Sequence, residues 1–149
     1  MYKHILVPTD GTRLSAKAIK AAIKLAAALG ARLTTLHVIA PYVFVVYTDA
    51  LAYAPIESDP KQYKRLTEKY AKALLAKTEA QARTGGVMCT GIFVTSAQPW
   101  EGILKIARLR GCDAIVMASH GRSGLTGLLL GSETTKVLTH SKLPVLVVR

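Results

Sequence analysis

Ala114-Ile-Val-Met-Ala118 runs without a break into Ser119-His-Gly-Arg-Ser-Gly-Leu-Thr-Gly-Leu-Leu-Leu-Gly-Ser132, and this stretch decides how the chain is read. The apolar run predicts a buried strand, and the glycines at 121, 124, 127 and 131 predict a loop after it. Glu133 to His140 then has a helical pattern, with Ser132 suited to be its N-cap. Glycine lets a backbone approach a ligand closely, and the N–H groups at a helix start attract anions. Strand, glycine-rich loop and helix start together predict a phosphate-holding corner, and therefore a nucleotide-binding protein.

Outward from this corner, strand and helix patterns alternate. Tyr2 to Thr9 is β-prone and ends near Pro8. Arg13 to Leu29 predicts an amphipathic helix, with Arg13, Lys17, Lys20 and Lys24 opposite Leu14, Ala18, Ala22, Leu25 and Leu29; Gly30 stops it. Arg32 to Ile39 predicts a second strand. A helix follows from Lys61 to Arg83, with Leu66, Tyr70, Leu74 and Lys77 on one side. Val87 to Val94 predicts a third strand, and Gln98 to Arg110 a helix burying Trp100, Ile103, Leu104 and Ala107. Asp113 to Ala118 is the fourth strand and Pro144 to Val148 the last. Right-handed crossovers turn this order into one doubly wound α/β domain, a five-stranded parallel sheet with helices on both faces. The apolar stretch between Ala40 and Pro60 has three open readings: it covers a ligand, packs on a second subunit, or lies over the core.

Composition narrows the function. The chain has 149 residues, half of them hydrophobic and 19% charged, which suits one domain with a sheet covered on both sides. No apolar run is long enough to span a bilayer, and Pro8 and Asp10 interrupt the apolar start, so a cytoplasmic protein without a membrane partner is expected. Cys89 and Cys112 lack metal-ligand spacing and read as structural thiols. His4, His37, His120 and His140 form no zinc-binding pattern. The net charge of +11 reads first as solvated helix faces; no nucleic-acid-binding motif accompanies it, so motif-based nucleic-acid recognition is not expected, although the excess would help attract ATP.

Ligands in open α/β sheets bind beyond the carboxyl ends of the strands, where the strand order reverses. The first strand ends there in Val7-Pro-Thr-Asp10-Gly11. Asp10 has two readings, a partner for ribose hydroxyls or magnesium, and an N-cap for the helix that follows. The Walker pattern is missing, as is a G-x-G-x-x-G after the first strand. No general base is evident, so binding is expected rather than rapid turnover. Met117-Ala-Ser-His-Gly121 loosely resembles a hydrolase nucleophile elbow, but Met117 stands where that motif has its first glycine.

From Ile5-Leu-Val-Pro-Thr-Asp10-Gly to Pro144-Val-Leu-Val-Val148, the whole chain resembles the universal stress protein family. Its ATP-binding members have the loop pattern G-x2-G-x9-G-[ST]. Gly121, the spacer Arg122 to Leu130, Gly131 and Ser132 match it, while Ala118 stands at its first glycine. The resemblance implies strand order 3-2-1-4-5 and a small regulatory protein of the stress response that binds an adenine nucleotide, with magnesium as the companion metal. It implies that Asp10 contacts ribose or metal, that Val38 lies by the adenine, and that Gly121, Gly131 and Ser132 hold phosphates. Pro8, Thr9 and Met117 would line the base and sugar, and Ala118, Arg122, Glu133 and Thr134 complete the candidate set. It also places the apolar Leu143-Pro-Val-Leu-Val-Val148 at a sheet edge, where a homodimer would pair. The rival reading is a scaffold of the same fold without nucleotide.

Overall fold

Ile5, Leu6 and Val7 have no solvent exposure, which makes β1 (His4–Pro8) the centre of the sheet. The computed structural model describes residues 1–42, 59–120 and 130–149. The chain continues through α1 (Arg13–Leu29), β2 (Arg32–Ile39), α2 (Pro60–Thr84), β3 (Cys89–Thr95) and α3 (Pro99–Leu109). It ends with β4 (Ala114–Ala118), α4 (Ser132–His140) and β5 (Val145–Val148). All pairings are parallel and the order is β3-β2-β1-β4-β5, the doubly wound arrangement expected from the alternating pattern.

Side chains alternate across a strand, so each strand feeds two cores. Ile5, Val7, Leu33 and Val116 meet Ile19, Ala22 and Ala26 of α1 and Ala82 of α2 on one face. Leu6, Leu36, Ile115 and Met117 meet Ile103, Ile106 and Ala107 of α3 and Val137 of α4 on the other. The layers follow from handedness: successive right-handed crossovers run outward from β1 to β3, then return across the sheet to β4 and β5.

Local chemistry sets the element ends. Thr12 caps α1 by accepting from the Ser15 N–H, and Gly30 ends the helix in the left-handed region at φ 63°, where a side chain is disfavoured. Asp59 caps α2, with Pro60 in its first turn.

The structure supplies the buried face of α2, which the sequence left open, and corrects two capping expectations. α2 buries Ala71, Leu75, Thr78 and Ala82, whereas Leu66 and Tyr70 are 43% and 47% exposed. Leu75 and three small side chains pack over the sheet, while the first half of the helix walls the cleft at the strand ends. Ser132 is the first residue of α4 and Gly131 its cap, and a β-carbon at 131 would press on His120 at 3.0 Å. Thr12, and not Asp10, caps α1. Smaller shifts move β1 inward from Tyr2 and start β3 at Cys89.

Candidate functional site

The carboxyl ends of β1, β2 and β4 open onto one cleft of about 910 Å³, walled by the first half of α2 and by the start of α4. Pro8, Thr9 and Asp10 reach it from the end of β1, and Val38 from β2. Met117 and Ala118 reach it from β4, and Gly131, Ser132, Glu133 and Thr134 from the start of α4. Gly121 and Arg122 lie outside the described residues, as do Gly124, Gly127 and positions 43–58 of the apolar stretch.

A network of short bonds holds the β1 corner. The Thr9 N–H donates to the Leu36 carbonyl at 2.8 Å, and the Thr9 carbonyl is bonded to His37 Nδ1 at 2.8 Å. The Thr9 and Ser15 hydroxyls lie 3.1 Å apart. Asp10 Oδ1 accepts from the Thr12 N–H at 3.0 Å and from its hydroxyl at 2.7 Å. Asp10 therefore orients the residue that caps α1. Burial raises its pKa, but the hydrogen bonds from Thr12 and Ser15 outweigh that effect and the net shift is downward. Between Asp10 and the cap, Gly11 takes φ 82°, and any β-carbon there would run into the Tyr70 hydroxyl. Tyr70 in turn stands edge-on to His37, with ring centres 5.6 Å apart.

The opposite wall is built from backbone. The Gly131 N–H donates to the Ser119 carbonyl at 2.8 Å, and a β-carbon on Gly131 would come within 3.0 Å of His120 Cα. The Thr134 hydroxyl donates to the Ala118 carbonyl at 3.0 Å, tying α4 to the end of β4. The N-cap, Gly131, has no side chain with which to bond the first N–H groups of α4, which stand beside the cleft. Ala118 carries no strain, since no described non-glycine residue has a positive φ. Its methyl group is thus compatible with the backbone at the position where the loop pattern has glycine.

Glu133 faces the neighbouring helix as well as the cleft. Its Oε2 accepts from the Trp100 N–H at 2.8 Å, and Oε1 lies 3.3 Å from Lys136 Nζ. Sequence reading missed this bond, as it missed the wall formed by Tyr63, Leu66, Thr67 and Tyr70. Those four recur at helical spacing on a face distinct from the buried one, a signal visible in the sequence once the core face is known.

The chemistry available is that of a binding site. Ser119 Oγ and His120 Nδ1 are 3.1 Å apart, but among the described residues no carboxylate orients the imidazole. No described group of three or more His, Cys, Asp or Glu could hold a metal ion. Of the two described carboxylates at the cleft, Glu133 is bonded to Trp100 and Lys136, and Asp10, bonded to Thr12, fits magnesium only beside the phosphates of a ligand.

Comparison with known proteins agrees with this architecture. The universal stress protein family pattern matches residues 1–149. Universal stress protein YxiE of Bacillus subtilis is 36% identical over 152 residues, spanning all of both chains. Universal stress protein MJ0577 of Methanocaldococcus jannaschii is 32% identical, over all of this chain and 96% of its own. The MJ0577 structure superposes with a TM-score of 0.82 at 31% identity, covering 99% of this chain and 96% of that one. A universal stress protein solved in complex with cAMP gives a TM-score of 0.70 at 25% identity, covering 99% and 97%. Matched along its whole length in sequence and in fold, the chain belongs to the universal stress protein family.

Proposed function

We propose that this protein binds ATP in the cleft, with residues 1–149 as a single nucleotide-binding domain, and acts as a small cytoplasmic regulatory homodimer in the stress response. One observation carries the reading: the ends of β1, β2 and β4 and the start of α4, far apart in sequence, bring ten of the expected ligand residues to one cleft. That cleft lies beyond the carboxyl ends of the strands, at the switch between β1 and β4. The related structure in complex with cAMP supports an adenine nucleotide as the ligand class.

In this reading Val38 borders the adenine, and Pro8, Thr9 and Met117 flank base and sugar. Asp10 meets a ribose hydroxyl or the magnesium that accompanies the phosphates. Gly131, Ser132 and the first N–H groups of α4 take the phosphates, which suit the positive end of the helix dipole. Bound ATP would be neutralised in part by magnesium. Without a Walker lysine or a placed base, hydrolysis is slow at most.

Mass spectrometry of ligand released from the purified, denatured protein identifies the nucleotide, and calorimetry measures its affinity. A folded Gly131→Val protein is expected to lose ATP binding. Unchanged affinity would overturn the phosphate assignment, and failure of the wild type to bind any adenine nucleotide would leave a scaffold of the same fold.

A further inference from the structure

The crossovers gather charge as well as apolar surface. α1 and α2, which share one layer, carry eleven lysines and arginines against two glutamates, and all eleven cations are exposed. α3 and α4, in the other layer, carry three against two. Most of the chain's net charge of +11 thus stands on one side of the sheet. The two glutamates do little to offset it. Glu79 turns to the sheet, where Oε1 accepts from the Gly91 N–H, and Glu68 reaches Lys64 at 3.9 Å. Among the described residues, the other ten cations have no carboxylate within ion-pair distance.

We infer that this layer is a docking surface for duplex nucleic acid, held through its phosphates without base readout. Uncompensated cations on a broad face attract a polyanion, and neutralised phosphates release counterions. Exposed positions between the cations are small, as at Ala16, Ala27, Ala73 and Ala76. A bilayer-binding helix needs large apolar side chains to insert. The large apolar residues exposed on these helices, Leu66 and Tyr70, line the cleft instead. A single strand would need an aromatic platform for its bases, which the outward faces of α1 and α2 do not provide. A duplex needs only phosphate contacts. At a rise of about 1.5 Å per residue, α2 is roughly 37 Å long and can lie along about one duplex turn. The inference uses no property of the cleft and stands or falls apart from ATP binding.

Fluorescence anisotropy with labelled duplexes of about 20 base pairs tests it, using DNA and RNA of two unrelated sequences across about 50–200 mM salt. The wild type is expected to bind both sequences alike, with affinity falling steeply as salt rises. Combining Lys17→Gln, Lys20→Gln, Arg65→Gln and Lys69→Gln should weaken binding at least about tenfold and flatten the log–log salt slope by about 3 to 4. Lys105→Gln with Arg108→Gln, on the other layer, should leave it within about twofold. Binding of either the DNA or the RNA duplex supports the inference. No duplex binding at the lowest salt overturns it, as does an equal loss in the second variant or a strong preference for one base sequence. Capture by phosphatidylserine vesicles without duplex binding would also overturn it, in favour of a membrane surface.

Discussion

Glu133 and Trp100 are joined across two helices: the backbone N–H of Trp100 donates to Glu133 Oε2 at 2.8 Å. The first turn of α4 thereby caps α3, whose own cap residue, Gln98, makes no side-chain cap bond. A carboxylate at a helix start is favoured by both the dipole and the unpaired N–H groups. Glu133→Ala is expected to cost about 1–2 kcal/mol in urea unfolding, and Glu133→Gln less, because an acceptor remains. An alanine variant as stable as the wild type would show that the bond contributes nothing.

Asp10→Ala should lower ATP affinity chiefly when magnesium is present, if the carboxylate meets the metal. A loss of equal size in chelator would assign Asp10 to the ribose. Calorimetry with and without magnesium separates the two. The substitution also removes the acceptor that orients Thr12, so a stability loss of up to about 1 kcal/mol should accompany it.

Acid should weaken the fold through His4. Its side chain is buried, and burial first, then the charge of Arg32, holds its pKa below 6.5. The unfolded chain therefore takes up that proton more readily, so stability present above pH 6.5 is lost as the pH falls below it. Asp10 and Asp113, both shifted below 3.8, add a further loss at lower pH. Urea midpoints at pH 7.5 and 5.5, measured for wild type and His4→Gln, should differ less in the variant. Equal differences would remove His4 as the cause.

The thiols should react slowly. Burial first, then Glu79, pushes Cys89 up to about 11; burial first, then Asp113, does the same to Cys112. Thiolate is the nucleophile, so alkylation of the native protein at pH 8 should be slow and should speed up in urea. Because the folded pKa values are raised, these groups cost stability as the pH climbs above 9. Rapid native alkylation would contradict the packing around both side chains.

Dimerisation should depend on the open edge of β5. The carbonyls of Pro144 and Val148 accept from the N–H groups of Ile115 in β4 and of Ser119 just after it. Strand alternation then turns the Val147 N–H toward the open side. Leu146 is 49% exposed on the same strand. Val147→Pro removes an outward donor while sparing the pairing with β4. Light scattering should report a dimer for the wild type and a smaller species for the variant. A wild-type monomer across micromolar concentrations would rule out this interface.

Much of the fold was legible because it rests on local signals. α1 and β2 have the expected bounds, since the α1 stripe is strongly periodic and Gly30 ends it in a conformation glycine favours. The cleft was legible through topology, which brings strand ends together whatever their side chains. What escaped depends on partners distant in sequence. The buried face of α2 joins Leu75 to two alanines and a threonine, small residues that a count of large apolar side chains passes over. The Glu133 bond to Trp100 spans 33 positions and leaves no local trace. Ser132 has the better cap chemistry, yet the cap falls at Gly131, which sits tightly against His120 across eleven positions.

Ser119 is bonded on both sides: its N–H donates to the Val148 carbonyl, and its carbonyl accepts from the Gly131 N–H, each at 2.8 Å. Ser119 alone therefore ties the start of α4 to the last strand. A change at the carboxyl end of β5 thus reaches the start of α4, and with it one wall of the cleft, through only two hydrogen bonds.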